Sequence, residues 1–337
     1  MADRLIDQVW ESGHLAARVA RAVLTPFGWA YAGVTSLRNL AYDRGILAVH
    51  PVALPTVSVG NLTVGGTGKT PVAAWIVGQL RERGARPAIV LRGYGRDEPL
   101  VHARLNPGVP VIVGADRVDG ISRAKENGAT VAVLDDGFQH RRAHRDVDIV
   151  LLSADRFGPV RMLPAGPWRE PLSSLRRAAM IVVTRKSASR LRAKELLHHA
   201  VRFAPEAAGS IVHLSVDSIV NVASGQTVTI STLRDRAVLA VSAIGDPRAF
   251  ESQLRAGGAL VEGAGFPDHH RYTSSDIARL VARIDGGTRV VCTLKDAVKL
   301  GPLWPREAPP LWYLSQRVVV EEGSDAFETL LTRLAPR

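Results

Sequence analysis

The chain has 337 residues, 46% of them hydrophobic, which is enough for two domains with their own cores and too apolar for a disordered protein. Lys and Arg number 43 against 32 Asp and Glu, a formal charge of +11 that points to an acidic partner: nucleic acid, anionic membrane or phosphorylated substrate. The single cysteine, Cys292, excludes an intrachain disulfide and a cysteine zinc cluster; within the apolar run Arg289 to Leu294 it reads as a buried thiol.

Residues 1 to 50 read as helical and amphipathic. Asp3, Asp7 and Glu11 stand where a secretory leader is basic. The uncharged run Ala22 to Leu37 is shorter than the roughly 20 residues a spanning helix needs, and it contains Pro26, Gly28 and Gly33. Phe27, Trp29 and Tyr31 lie in it, flanked by Arg18, Arg21 and Arg38. Aromatics beside arginines suit a membrane interface; a helix pair packed on the protein itself accounts for them equally well.

From Thr56 onward, short β-branched runs alternate with helical segments. Strands are expected at Thr56–Val59, Ala88–Leu91, Val109–Val113, Val131–Leu134, Asp148–Leu152 and Met180–Val183, and helices at Lys69–Arg83, Arg117–Asn127 and Ser189–Phe203. This is the βα alternation of a mostly parallel sheet covered by helices. Ser210–Val222 and Thr227–Ile230 are strand-like with no helix between them. Alternation then resumes with strand Ala237–Ala243, helix Pro247–Ala256, apolar run Ala259–Glu262, helix Ser274–Ile284 and strand Arg289–Thr293; Asp325–Leu334 reads as a closing helix. The expected organisation is a helical segment over 1–50, an α/β domain over 51–210, a β-rich linker over 211–232 and a smaller α/β domain over 233–337.

The strongest chemical signal is Gly60-Asn-Leu-Thr-Val-Gly-Gly-Thr-Gly-Lys-Thr70, placed between a strand and a helix. Gly65, Gly66, Thr67 and Gly68 allow backbone N–H groups to approach phosphates closely. Lys69 adds a mobile cation, the helix start a positive dipole end, and Thr70 a hydroxyl for Mg2+. The strict P-loop pattern has Gly where Thr63 stands. A related ATPase class places Lys directly before the paired glycines; Val64 at that position argues against it.

The second signal is Val131-Ala-Val-Leu-Asp-Asp-Gly-Phe-Gln-His140, an apolar strand ending in Asp135 and Asp136. Ligands of parallel sheets bind at strand carboxyl ends, and a strand-end Asp of P-loop enzymes serves Mg2+. A plain Asp-Asp-Gly turn is the alternative, outweighed by the loop upstream. In Arg92-Gly-Tyr-Gly-Arg-Asp-Glu-Pro99, Asp97 and Glu98 offer adjacent carboxylates, one to activate a hydroxyl and one near the metal; a polar surface loop is the competing reading. Phe266-Pro-Asp-His-His-Arg-Tyr-Thr273 sets His beside Asp, which raises basicity. Here a helix-capping turn is the alternative, and no second cluster completes a zinc site. Basic residues of His140-Arg-Arg-Ala-His-Arg145, and Arg169 and Glu170 of the Pro/Gly loop Leu163–Pro171, suit an anionic substrate. No nucleic-acid motif accompanies the charge.

Taken in order, the glycine loop, Arg92-Gly-Tyr-Gly-Arg, Asp97-Glu-Pro, Leu134-Asp-Asp-Gly-Phe-Gln-His, Leu163-Pro-Ala-Gly-Pro-Trp-Arg-Glu-Pro and Phe266-Pro-Asp-His resemble the tetraacyldisaccharide 4'-kinase family. The resemblance runs from Ser36-Leu-Arg-Asn-Leu-Ala-Tyr-Asp-Arg-Gly45 to Thr293-Leu-Lys-Asp-Ala-Val-Lys-Leu300. It implies two α/β/α domains joined by a short β linker. The implied reaction moves the γ-phosphoryl of ATP to the 4' hydroxyl of an acylated glucosamine disaccharide 1-phosphate, at the cytoplasmic face of the bacterial inner membrane. By the same resemblance Lys69 and Thr70 hold phosphates and Mg2+, Asp135, Asp136 and Glu98 serve the metal, and Asp97 is the base supported by His269. Tyr94, Arg96, Arg117, Gln139, His140, Arg169 and Glu170 meet the disaccharide, and the N-terminal helices dock on the membrane. No nucleic acid and no obligate protein partner is implied. In relatives a hairpin separates the Arg-Gly-Tyr-Gly-Arg loop from Asp-Glu-Pro; here Arg96 abuts Asp97. A P-loop switch or metal-delivery factor, and a non-catalytic membrane or nucleic-acid binder, are the rival readings; neither explains the Arg-Gly-Tyr-Gly-Arg and Phe-Pro-Asp-His motifs.

Overall fold

The computed structural model describes residues 9–10, 12–93, 97–245 and 247–335. In chain order the elements are α1 (Leu15–Asp43), β1 (Thr56–Asn61), α2 (Lys69–Glu82), β2 (Pro87–Leu91), α3 (Glu98–Leu105), β3 (Val111–Val113), α4 (Arg117–Glu126), β4 (Val131–Asp135), β5 (Val147–Ser153), β6 (Met180–Arg185), α5 (Arg190–Val201), β7 (Ala208–Asn221), β8 (Thr227–Thr229), β9 (Ala237–Ser242), α6 (Pro247–Ala256), β10 (Leu260–Gly265), α7 (Ser274–Val281), β11 (Arg289–Cys292), α8 (Leu294–Leu300), β12 (Leu311–Glu322) and α9 (Ser324–Leu334).

These elements form two compact units that interleave in sequence. The first takes the described residues up to 93, then 105–214 and 318–335; the second takes the described residues of 97–104 and 215–317. The short helix α3 folds with the later part of the chain, and α9 folds with the earlier part.

In the first unit the strands run β7-β6-β5-β1-β4-β2-β3, and each of these pairs is parallel. Alternate residues of β5 enter opposite cores: Ile149 and Leu151 join Val72, Ile76 and Leu80 of α2, while Val150 and Leu152 join Ala193 and Leu196 of α5. A sheet buried on both faces needs that period-two pattern with apolar residues at every position. Trp75 of α2 meets Phe327 of α9 edge to face at 4.9 Å, which anchors the last helix on this unit.

Helix α1 is continuous from Leu15 to Asp43. It runs through Pro26, and the Thr25 hydroxyl donates to the Arg21 carbonyl at 2.7 Å. Ala17, Gly28, Thr35 and Asn39 form its buried stripe. A Cβ on Gly28 would come within 3.1 Å of the Met162 carbonyl oxygen, so glycine permits the close approach of α1 to the 162–168 loop. Leu15, Val19, Val23, Phe27, Val34 and Leu37 fall on the opposite face and are exposed. No helix of the described residues is long and apolar enough to cross a membrane.

In the second unit β10, β9, β11 and β12 are parallel neighbours in that order, and β8 pairs antiparallel with β7. Its core gathers Leu239, Val241, Ile277, Leu280, Val290 and Cys292. Cys292 is fully buried, and burial holds its thiol well above the usual range.

Candidate active site

β1 lies between β4 and β5, where successive connections leave in opposite directions along the sheet. Such a switch point opens a crevice beyond the strand carboxyl ends. The glycine loop fills that position. Gly68 has φ +85° and caps α2; a Cβ there would also meet Leu214 Cδ1 at 2.5 Å. The loop is tied down from two sides. Asn61 Nδ2 donates to Thr67 Oγ1 at 2.9 Å, and Thr184 Oγ1 of β6 donates to the Thr67 carbonyl at 2.8 Å.

The register of β1 with β4 sets Val59 beside Asp135. Thr70 Oγ1 donates to Asp135 Oδ2 at 3.2 Å. Asp136 follows in the left-handed region at φ +56°, its N–H held by the Val59 carbonyl at 2.9 Å. Its carboxylate faces two cations: Lys69 Nζ at 3.5 Å, and Arg169 Nη1 at 3.1 and 2.9 Å to the two oxygens. Burial pushes the Asp136 carboxyl up, but the Lys69 and Arg169 charges outweigh it and hold the group below the ordinary carboxylate value.

Behind this cluster, Arg117 is buried at the start of α4 and donates to the Gly114 carbonyl at 2.7 Å. Burial lowers its pKa, opposed by the nearby charge of Asp136. The Arg117 N–H meets His140 Nε2 at 3.5 Å. Burial, then the Arg117 charge, pushes His140 down to about 4, so it is a neutral imidazole near pH 7. Gln139 Nε2 donates to the Asn61 carbonyl at 2.8 Å. Gln139 thus bonds at the start of the loop and Arg169 at Asp136, while Arg117 and His140 meet each other beside them. Glu170 is placed differently: it is fully buried and bound to Arg177 and Asn39. Tyr94 and Arg96 lie outside the described residues.

The second unit holds the other carboxylate. Asp97 stands at the start of α3, its carbonyl accepting the Val101 N–H at 2.9 Å. Its buried side chain meets His269 Nδ1 at 3.3 Å. Burial raises the Asp97 carboxyl, yet the His269 hydrogen bond and the Lys295 charge together bring it below the ordinary value. The same hydrogen bond raises His269 above the ordinary imidazole value, against its partial burial. The two shifts agree in direction: each group favours the charged form of the other. His269 takes φ +54°, a strained conformation of the kind that gathers at functional sites. The neighbouring Asp268 spends Oδ1 on the His269 backbone N–H at 3.0 Å, so the principal partner of the ring is Asp97. Glu98 opens α3 directly after it.

The loop bearing His269 rests on groups to which the sequence reading gave no role of their own. Asp296 is fully buried and accepts from Ala243 N–H at 3.0 Å, Tyr272 Oη at 3.0 Å and Thr293 Oγ1 at 2.7 Å. His270 stacks on Phe266 at 4.9 Å and bonds Asp276 at 3.0 Å. A Thr-x-x-Asp box, Thr273 to Asp276, is the sequence signal for the capping half of this scaffold.

A glycine loop ending in Lys-Thr at the switch strand of a parallel sheet, with a strand-end carboxylate beside it, defines the P-loop nucleoside triphosphate enzymes. Comparison with known proteins narrows the class. The sequence profile of Tetraacyldisaccharide-1-P 4'-kinase (LpxK) matches residues 20–97 and 96–335, two segments that meet where Arg96 abuts Asp97. The tetraacyldisaccharide 4'-kinase of Anaeromyxobacter sp. (strain Fw109-5) is 37% identical over 88% of this chain and 88% of its own length. That of Halorhodospira halophila is also 37% identical, over 97% of each chain. A crystal structure of LpxK from Aquifex aeolicus in complex with ATP is 29% identical and superposes with a TM-score of 0.75, covering 94% of this chain and 99% of that one. The chain belongs to the tetraacyldisaccharide 4'-kinase family, ATP-dependent kinases of lipid A biosynthesis.

Proposed function

We propose that the chain moves the γ-phosphoryl group of ATP to the 4' hydroxyl of a tetraacylated glucosamine disaccharide 1-phosphate, with Mg2+ as the metal. The observation that carries this reading is the pairing of Thr70 with Asp135 and of Lys69 with Asp136 at the carboxyl ends of β1 and β4. The family supplies the acceptor.

The donor set fits Mg2+. Thr70 and Asp135 are hard oxygen ligands already within hydrogen-bond reach, with Asp136 next in sequence. Mg2+ is usually held by one or two carboxylates plus substrate phosphates rather than by a protein cage. Among the described residues no three His, Cys, Asp or Glu gather as a ready-made metal site. Bound there, the ion neutralises charge on the phosphates. Glu98 is the further carboxylate assigned to the metal region.

Phosphoryl transfer asks the protein for positioning and charge more than for covalent chemistry. Lys69 and the loop N–H groups cradle the phosphates. Asp97 accepts the proton of the attacking sugar hydroxyl, and His269 orients Asp97 and, when its ring is neutral, relays that proton onward. Arg117, Gln139, His140 and Arg169, with Tyr94 and Arg96, contact the disaccharide and its phosphate. Glu170, having no exposed surface, serves the substrate through its neighbours rather than by touching it.

The exposed apolar face of α1 docks on the anionic inner-membrane surface that holds the lipid. Arg18 and Arg38 flank that face, and each basic residue near such a surface adds roughly 1 kcal/mol.

The test is transfer of labelled γ-phosphate from ATP to a detergent-dispersed tetraacylated disaccharide 1-phosphate, with Lys69→Ala as control. Label on the lipid that vanishes in the control supports the reading. Free phosphate without labelled lipid would instead favour an NTPase with another acceptor.

A further inference from the structure

Glu170 poses a physical problem that points back to helix α1. A carboxylate with no exposed surface is costly unless it is paired and hydrogen-bonded. Its Oε2 accepts two bonds, from Arg177 Nη2 at 2.8 Å and from Asn39 Nδ2 of α1 at 3.0 Å. Its Oε1 accepts no hydrogen bond among the described residues and has only the Arg38 guanidinium, 3.6 Å away. So α1 supplies one of the two hydrogen bonds on which this buried charge depends. Asn39 is itself buried, on the helix stripe opposite the exposed apolar face.

Glu170 directly follows Arg169, whose guanidinium grips both oxygens of Asp136. The backbone N–H groups of Arg169 and Glu170 both reach the Leu62 carbonyl, at 2.7 and 3.4 Å, where the glycine loop begins. Arg177, the other partner of Glu170, lies over the Phe138 ring at 4.3 Å, two residues past Asp136. Further along, Arg141 Nη1 donates to the Asn39 carbonyl at 2.9 Å, and Arg141 also pairs with Asp43 of α1 at 2.7 Å. The end of α1 is therefore bonded into the two segments that present Asp136 and Arg169.

We propose that Asn39 is a positioning residue for phosphoryl transfer: its amide fixes Glu170, and through Glu170 the direction of Arg169 toward Asp136 and the phosphates. The helix with the exposed apolar face thereby also sets the phosphate cradle. Misplacing a charged group by about 1 Å can cost on the order of a hundredfold in rate, so loss of one hydrogen bond at this remove is felt in turnover.

The proposal rests on the kinase reading above, and the experiment separates the two. Wild type, Asn39→Leu and Asn39→Gln are compared for kcat, KM for ATP, KM for the lipid and thermal midpoint, in the same detergent. Leu removes the donor; Gln keeps it. The expected result is a kcat lower by about tenfold to a hundredfold in Asn39→Leu, KM for ATP within about twofold, and substantial recovery in Asn39→Gln. The cycle with Arg169→Ala tests the route: in that background Asn39→Leu costs nothing more. If Asn39→Leu does not fold, Asn39→Ala carries the same comparison. Wild-type kcat in the folded Leu or Ala variant overturns the proposal, as does a full additional loss in the Arg169→Ala background. A wild-type protein that labels no lipid refutes the kinase reading instead.

Discussion

The phosphate loop and the Asp97–His269 pair differ in how much of the chain each needs. Lys69 and Thr70 are neighbours at one helix start, and their partners Asp135 and Asp136 sit at the end of the adjacent strand, in register with β1. The cradle is thus nearly a product of two short segments and a parallel ladder. The pair, by contrast, joins a short helix after the Gly-rich loop to a strained turn far along the chain, and Asp296 and Tyr272 brace that turn from behind. A local motif holds its charges by proximity in sequence. A pair assembled from distant segments depends on packing, and under the proposed mechanism it is where small changes would act on turnover without touching ATP.

Substitutions that hit one site and spare the other sharpen the contrast. The largest effect is expected from Lys69→Ala. It removes the cation facing the phosphates, and transfer should fall by about a thousandfold or more with ATP affinity lost as well; equilibrium binding of labelled ATP and the transfer assay check both. Asp97→Asn comes next. Loss of the base should lower kcat by about 10²–10⁴-fold with ATP binding kept.

His269 is expected to act through pH. Its imidazole is raised first by the Asp97 hydrogen bond, and as imidazolium it cannot take up a proton. The transfer rate should therefore rise with pH through an apparent value of the pair lying above the ordinary imidazole value, and the rise should vanish in His269→Ala. Stability carries the matching signature. The raised His269 contributes fully below the ordinary imidazole value and loses its contribution as pH climbs through its own raised one. The depressed Asp97 contributes above the ordinary carboxylate value and loses its share as pH falls through its own depressed one. The gap in thermal midpoint between wild type and His269→Ala should accordingly be widest between about pH 4 and about pH 6.5. Because His269 is 45% exposed, solvent screening keeps that gap small.

The smallest effect concerns α1. Phe27→Glu puts a charge on the exposed apolar face, and binding to anionic vesicles should weaken by about tenfold or more, from loss of roughly 1.5–3 kcal/mol of aromatic burial. Wild-type vesicle binding should also weaken with added salt; salt-independent binding would remove the electrostatic part of the account.

Much of this was legible in the sequence. The β-branched runs gave β1, β2, β4, β5 and β6 within a few residues, and the glycine loop and Asp135-Asp136 announced themselves by residue type and position. What escaped was mostly non-local. α3 is a two-turn helix entered through Pro99 directly after a Gly-rich loop, with no long periodic run to signal it. β12 follows a segment broken by four prolines, so its apolar residues did not read as a strand. That α3 folds with the later residues, and α9 with the earlier ones, leaves no trace in composition. Proximity of Asp97 and His269 came from family resemblance, since neither residue carries a spacing signal for the other. Glu170 looked like a substrate ligand because its loop is rigid and charged; the clue to its burial was Asn39, the one amide on the buried stripe of α1.

The proposed mechanism divides its labour between two residues: Lys69 is assigned to the phosphates and Asp97 to the proton. The direct measurement is ATP affinity and single-turnover transfer to the lipid, side by side, for wild type, Lys69→Ala and Asp97→Asn. The account predicts that Asp97→Asn binds ATP as wild type does and transfers at least about a hundredfold more slowly, while Lys69→Ala loses both. Transfer at the wild-type rate by Asp97→Asn would contradict it.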